Sequence, residues 1–210
     1  GFLRDRVLAS TFGAGDVLDA YYTAFRLPDL VYGFLVLGAL SAAFVPVFTE
    51  LMTKEKREEA WQLTSGVLHT TLFSIGCFSL LGIIFAPFLT EVLAPGFAPE
   101  KQEIVTDLTR IMLLSPLFLA ASAAFGGVLV SFKPFAAYSF APVFYNIGII
   151  MGALFLAPTL GASGLAWGVV IGSFLHVAVQ YPALRRTGFH FEFGLRAAWQ
   201  NEQVRRVLTL

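Results

Sequence analysis

Seven charged side chains stand within the first 29 residues, GFLRDRVLASTFGAGDVLDAYYTAFRLPDL; Asp16 falls in the GAGD turn, and the other six are set in apolar sequence: Arg4, Asp5, Arg6, Asp19, Arg26 and Asp29. A charge at bilayer depth costs about 2.5–3.5 kcal/mol on the gentlest scale. Such residues persist where they pair, line a watery cavity or hold a charged ligand. An arginine guanidinium offers a planar fork of donors that matches phosphate. Arg4 and Arg26 projecting into one cavity would therefore bind an anion. Two other readings stand beside this one: Arg4, Asp5 and Arg6 snorkel at an interface, or Asp19 and Arg26 form a structural ion pair. Asp19 and Arg26 are seven residues apart and Arg26 and Asp29 three apart, so on a helix the three share a face.

Other chemistries find no footing. The chain has no G-x-x-x-x-G-K-[ST] phosphate loop and no H-E-x-x-H pair. Its three histidines, His69, His176 and His190, are far apart, and Cys77 is alone, so neither a disulfide nor a cysteine metal cluster is expected. No serine stands in a nucleophile elbow. An enzyme, a cofactor and a resident metal are all unexpected. Fourteen basic residues balance fourteen acidic ones, which gives no case for nucleic acid.

The elements that must position these charges are membrane helices. The chain is 57% hydrophobic and 13% charged, against about half and about a quarter in soluble domains. Residues 1–12 read as an apolar helix, followed by the turn GAGD, with Asp16 or Asp19 as a cap for the next helix. Residues 19–52 read as a second helix interrupted by Pro28 and Pro46. Further spans are expected over 60–93, 104–131, 136–156 and 163–182, each near the roughly 20 residues a crossing needs. Residues 187–200 read as an amphipathic connector, with a seventh helix starting near Asn201. The chain lacks an initiator Met and both ends read as partial helices, so it is taken as a piece of a longer protein. The expected domains are a six-helix lobe over 1–186, its first helix truncated, and the connector with a helix onset over 187–210.

Loop charge orients the spans. Lys54, Lys56 and Arg57, then Lys133, then Arg185, Arg186, Arg196, Arg205 and Arg206 fall on alternate loops. The intervening loops at 13–18, 94–103 and 157–162 are nearly bare of basic residues. The bias places the 53–59 loop and the start of the chain inside. Gly148/Gly152 and Gly164/Gly168/Gly172 form small-residue stripes suited to close helix packing.

The run GFLRDRVLASTFGAGDVLDAYYTAFRLPDL, with GALSAAFVPVFTE, LAPGF at 93–97 and FAPVFYNIG at 140–148, resembles the MurJ/MviN family of lipid II flippases. The resemblance covers essentially the whole chain, and its first motif is the most specific. It implies an all-α multi-span transmembrane bundle, about six spans forming the N-terminal lobe of a two-lobe transporter. It implies a bacterial inner-membrane location and a cationic cavity between the lobes. The implied partners are lipid II, an undecaprenyl-pyrophosphate-linked peptidoglycan precursor, membrane lipids and a coupling ion or the membrane potential. Arg4 matches the cavity arginine of the motif and Asp19 the acidic residue near a lateral gate. Arg26 falls where the family has Lys or Arg. The chain departs from the pattern at Tyr32, where Arg is common, and at Leu37, where Glu is common. These departures keep three alternatives open: a polysaccharide-unit flippase, a cation-coupled drug exporter and a non-transporting membrane scaffold.

Overall fold

The computed structural model describes residues 1–13, 15–33, 44–132, 135–191, 204 and 207. Every regular element among them is helical. In order these are α1 (Phe2–Phe12), α2 (Asp16–Tyr32), α3 (Val45–Thr53), α4 (Arg57–Ile84), α5 (Ala86–Leu93), α6 (Pro99–Met112) and α7 (Ser115–Ser131). There follow α8 (Phe135–Met151), a π-helical turn at Gly152–Leu156, α9 (Ala157–Leu160), α10 (Ala162–Ala178) and α11 (Tyr181–Arg186).

Four stretches are long and apolar enough to cross a membrane: Arg57–Ile84, Pro99–Ser131, Tyr138–Leu160 and Ala162–Arg186. They correspond to the expected third to sixth spans and make this a multi-pass membrane protein. Of the first two expected spans, α1 has 11 residues. The second is described only at its ends, α2 and α3. Residues 34–43, including Leu37, lie outside the described residues, as do Lys133, Arg196, Arg205, Arg206 and most of the expected connector.

Prolines shape the helices differently from the sequence expectation. Pro28 does not interrupt α2, which runs through it to Tyr32. Pro46, Pro87 and Pro116 each sit in the first turn of a helix, where the missing N–H has no intrahelical partner to lose. The expected span 60–93 therefore breaks at Phe85, and a second break at Leu113–Leu114 divides the expected fourth span. That span also begins earlier, at Pro99. Neither aspartate of the first turn caps α2. Its N-cap is Gly15, with no side-chain cap hydrogen bond.

The loops segregate to two ends. At one, Trp61 stacks on Phe132 with ring centroids 5.9 Å apart and meets Phe189 edge-on. There His190 Nε2 also lies 3.2 Å from Glu58. At the other end, Lys101 reaches Asp16 at 2.7 Å, and Phe12, Phe97 and Ala162 pack on one core group. The basic loops and the bare loops thus occupy opposite ends, the arrangement that alternating loop charge requires. Each end has its own buried core: Phe44, Phe48, Trp61 and Val128 near the first, Leu18, Tyr21, Leu108 and Leu165 near the second.

The glycine stripes join α8 to α10. A Cβ added at Gly148 would collide with the backbone of Gly172, and one at Gly152 with that of Gly168. Only hydrogen at these positions allows the two backbones to touch. This contact fixes α8, and α8 in turn supports α1.

Candidate functional site: a polar cavity between α1 and α2

The buried face of α2 carries Leu18, Tyr21, Ala24, Leu27 and Pro28. Asp19, Tyr22, Arg26 and Asp29 recur at helical spacing on its exposed side, so the three charges do share a face. α1 buries Leu8 and leaves Arg4 partly buried. The turn between them closes on Gly13, whose φ of 65° lies in the left-handed region that glycine enters without strain. This reversal brings the fourth residue of the chain against the middle of α2.

The result is a cavity of about 260 Å³ lined by Arg4, Tyr21, Tyr22, Phe25, Arg26 and Asp29. Its depth follows from helix rise. α1 ends and α2 begins at the Lys101 end. Arg4 precedes Phe12 by eight residues and Arg26 follows Asp16 by ten. At 1.5 Å per residue the two guanidinium stems stand about 12 and about 15 Å below that end. Both arginines thus stand two to three helical turns in from the loop that joins α1 to α2.

Arg4 is held by its neighbour. Its Nε donates to Asp5 Oδ1 at 2.8 Å, and its Nη2 lies 2.7 Å from the same oxygen. A single carboxylate oxygen takes one edge of the guanidinium and leaves its remaining N–H groups for the cavity. Arg26 has no ion-pair partner among the described residues. The lining therefore offers two cationic groups against one carboxylate, Asp29, with Asp5 bracing Arg4 from the side.

The expected site residues separate into three groups. Arg4, Arg26 and Asp29 come together around the cavity, and Asp5 touches it through Arg4. Arg6 is exposed and does not line it. Asp19 goes elsewhere: Lys101 Nζ bridges Asp16 Oδ1 at 2.7 Å and Asp19 Oδ2 at 3.1 Å, and sits 4.2 Å over the Phe97 ring. The alternative of an Asp19–Arg26 ion pair is thereby corrected, because a lysine 82 positions along the chain reaches the carboxylate first. Tyr32 packs on the core group near the other end and does not line the cavity.

Sequence reasoning missed two features. Tyr21 lines the cavity, yet an aromatic residue in an apolar helix reads as core. A buried polar cluster also joins α7 to α10: Ser122 Oγ lies 2.5 Å from His176 Nδ1, and Gln180 Nε2 donates to Ser122 Oγ and to the His176 carbonyl. Its members are 54 and 58 residues apart, so no local spacing announces it.

Comparison with known proteins agrees with this architecture. The family profile described as "Lipid II flippase MurJ" matches residues 8–210. The lipid II flippase MurJ of Burkholderia cenocepacia is 32% identical over 99% of this chain and 42% of its own length. A probable lipid II flippase MurJ of Rhizobium tropici is 32% identical over 100% of the chain and 40% of its own length. A solved structure of lipid II flippase MurJ in an inward closed conformation superposes with a TM-score of 0.77 at 24% identity, covering 99% of this chain and 44% of that one; it shows the shared fold. The chain spans about two fifths of the length of these relatives, and on the match over residues 8–210 it belongs to the MurJ lipid II flippase family.

Proposed function

We propose that this chain is the N-terminal six-helix lobe, residues 1–186, of a lipid II flippase in a bacterial inner membrane. The protein moves an undecaprenyl-pyrophosphate-linked peptidoglycan precursor outward by alternating access. The observation that carries the reading is the cavity between α1 and α2 with two arginines and one aspartate on its wall. A drug exporter coupled to cations would need the opposite balance, acids to hold the cation. A scaffold would have no use for two arginines gathered on one cavity wall.

The mechanism follows from the residues. Arg4 and Arg26 donate to the pyrophosphate, replacing part of its hydration as the head group leaves water. Asp5 fixes the Arg4 fork, so little side-chain order is lost on binding. Asp29 offsets one positive charge and keeps the site from holding its anion too tightly to release it. Asp19, clasped with Asp16 by Lys101, ties α2 to α6 at the outer end, and exchange of that clasp accompanies opening. Arg6 stands on the exposed side of α1, off the cavity wall. The membrane potential, negative inside, favours outward passage of an anion by about 2.3 kcal/mol per charge per 100 mV. A coupling ion is a second source of drive. No bond is made or broken, so the protein is a transporter and not an enzyme.

The test uses the full-length protein in proteoliposomes with fluorescent lipid II. Arg26→Gln removes the charge and keeps much of the shape. Loss of a charge-assisted hydrogen bond predicts a fall in translocation of roughly tenfold or more. Translocation by Arg26→Gln at the parent rate would refute a role for that arginine.

A further inference from the structure

Within the cavity wall one group has no assigned task. Tyr21 is 1% exposed, and its hydroxyl has no hydrogen-bond partner among the described residues. Burying a hydroxyl in this way is unfavourable, and a phenylalanine would fill the same space without that cost. The ring already has its packing, edge-on to Tyr22 and Phe25 at 5.3 and 5.7 Å. The oxygen is therefore the one part of the side chain that the fold does not use.

The hydroxyl lies within electrostatic range of Arg4, of the Asp5 carboxylate that braces it and of Tyr145, and Tyr145 is in turn within range of Arg4 and Asp29. Tyr21 shares the cavity wall with Arg4 and Arg26. A phenol donates a strong hydrogen bond to a phosphate oxygen and carries no charge that would need burial when the site is empty.

We propose that the Tyr21 hydroxyl is a substrate-binding donor, completing with Arg4 and Arg26 a three-point site for the pyrophosphate oxygens of the lipid-linked substrate. The inference rests on the flippase reading above and adds a neutral contact to it. The two arginines supply attraction that any anion would feel. Tyr21 supplies a directed donor at a fixed position, held by its ring contacts with Tyr22 and Phe25. It favours an anion with an oxygen at that point over one that merely carries charge.

The experiment compares full-length parent, Tyr21→Phe and Arg4→Ala for binding of undecaprenyl pyrophosphate in detergent, with thermal unfolding measured in parallel. Tyr21→Phe should weaken binding roughly tenfold while its unfolding temperature is unchanged or higher, since only an unpartnered oxygen is removed. A purely structural role for the hydroxyl predicts the reverse, lower stability with unchanged affinity, and that result would overturn the proposal. Weakened binding in Arg4→Ala with parental binding in Tyr21→Phe overturns the Tyr21 assignment alone. Parental binding in both, with both folded, overturns the anion-cavity reading beneath it.

Discussion

Replacing Gly172 by alanine tests how the bundle holds its cavity. A Cβ at this position would overlap the main-chain carbonyl oxygen of Tyr145 and lie 3.2 Å from the Tyr145 ring. The obstructing carbonyl is backbone, so no rotamer change relieves it. Carbon–oxygen contacts between helices settle near 3.3–3.6 Å, so α8 must move off α10 by about 1 Å. Overpacking of this kind costs about 1–3 kcal/mol. Alanine's better helix propensity returns up to about 1 kcal/mol of that. The net expectation is a destabilisation of about 1–2 kcal/mol, or a few degrees in Tm. Gly76→Ala is the matched control, because its nearest neighbour is a Leu117 methyl at 3.9 Å, an ordinary contact. There only the propensity gain remains, so Gly76→Ala should be neutral or stabilising. The assay is thermal unfolding of the purified full-length protein followed by tryptophan fluorescence, with translocation measured on the same preparations. Translocation should fall in Gly172→Ala, because Tyr145 stands within range of Arg4, and hold in Gly76→Ala. Equal stability of the two variants would refute the packing argument.

Three further outcomes follow. Ser122→Ala strips a partner from both buried Gln180 and His176 and should cost about 1–3 kcal/mol, read as a lower Tm; an unchanged Tm would show the cluster to be dispensable. Tyr32→Phe should leave translocation at the parent rate, since the Tyr32 ring packs on core residues and does not line the cavity. In a Cys77→Ser background, single cysteines at Lys56 and Glu100 should react with an impermeant maleimide from opposite membrane faces, Lys56 from inside and Glu100 from outside; labelling of both from one face would contradict the two-ended loop arrangement.

What the sequence made legible was whatever repeats along one helix. The stripes Gly148/Gly152 and Gly164/Gly168/Gly172 announce a close contact, and the structure places them against each other. The spacing of Asp19, Arg26 and Asp29 puts them on one face, and they share it. Contacts between distant segments were not legible. Nothing near Asp19 points to Lys101, and periodicity alone left Arg26 as its nearest opposite charge. The breaks at Phe85 and at Leu113–Leu114 were hidden for another reason. Apolar residues continue unbroken across both, and the helix signal from composition outweighs Pro87 and Pro116, whose effect falls on the residues before them. Tyr21 is not legible in the sequence because its hydroxyl is neutral, and only burial reveals that the oxygen lacks a partner.

The central claim is that a cationic cavity on α1 and α2 carries the pyrophosphate, and Arg4 is its most deeply braced member. The most direct measurement is lipid II translocation by the full-length protein with Arg4→Ala, in inner-membrane vesicles from a strain depleted of its own flippase, with insertion checked in parallel. The account predicts that the wild-type protein translocates lipid II and that Arg4→Ala inserts normally but translocates little or none. Parental translocation by a normally inserted Arg4→Ala protein would contradict it.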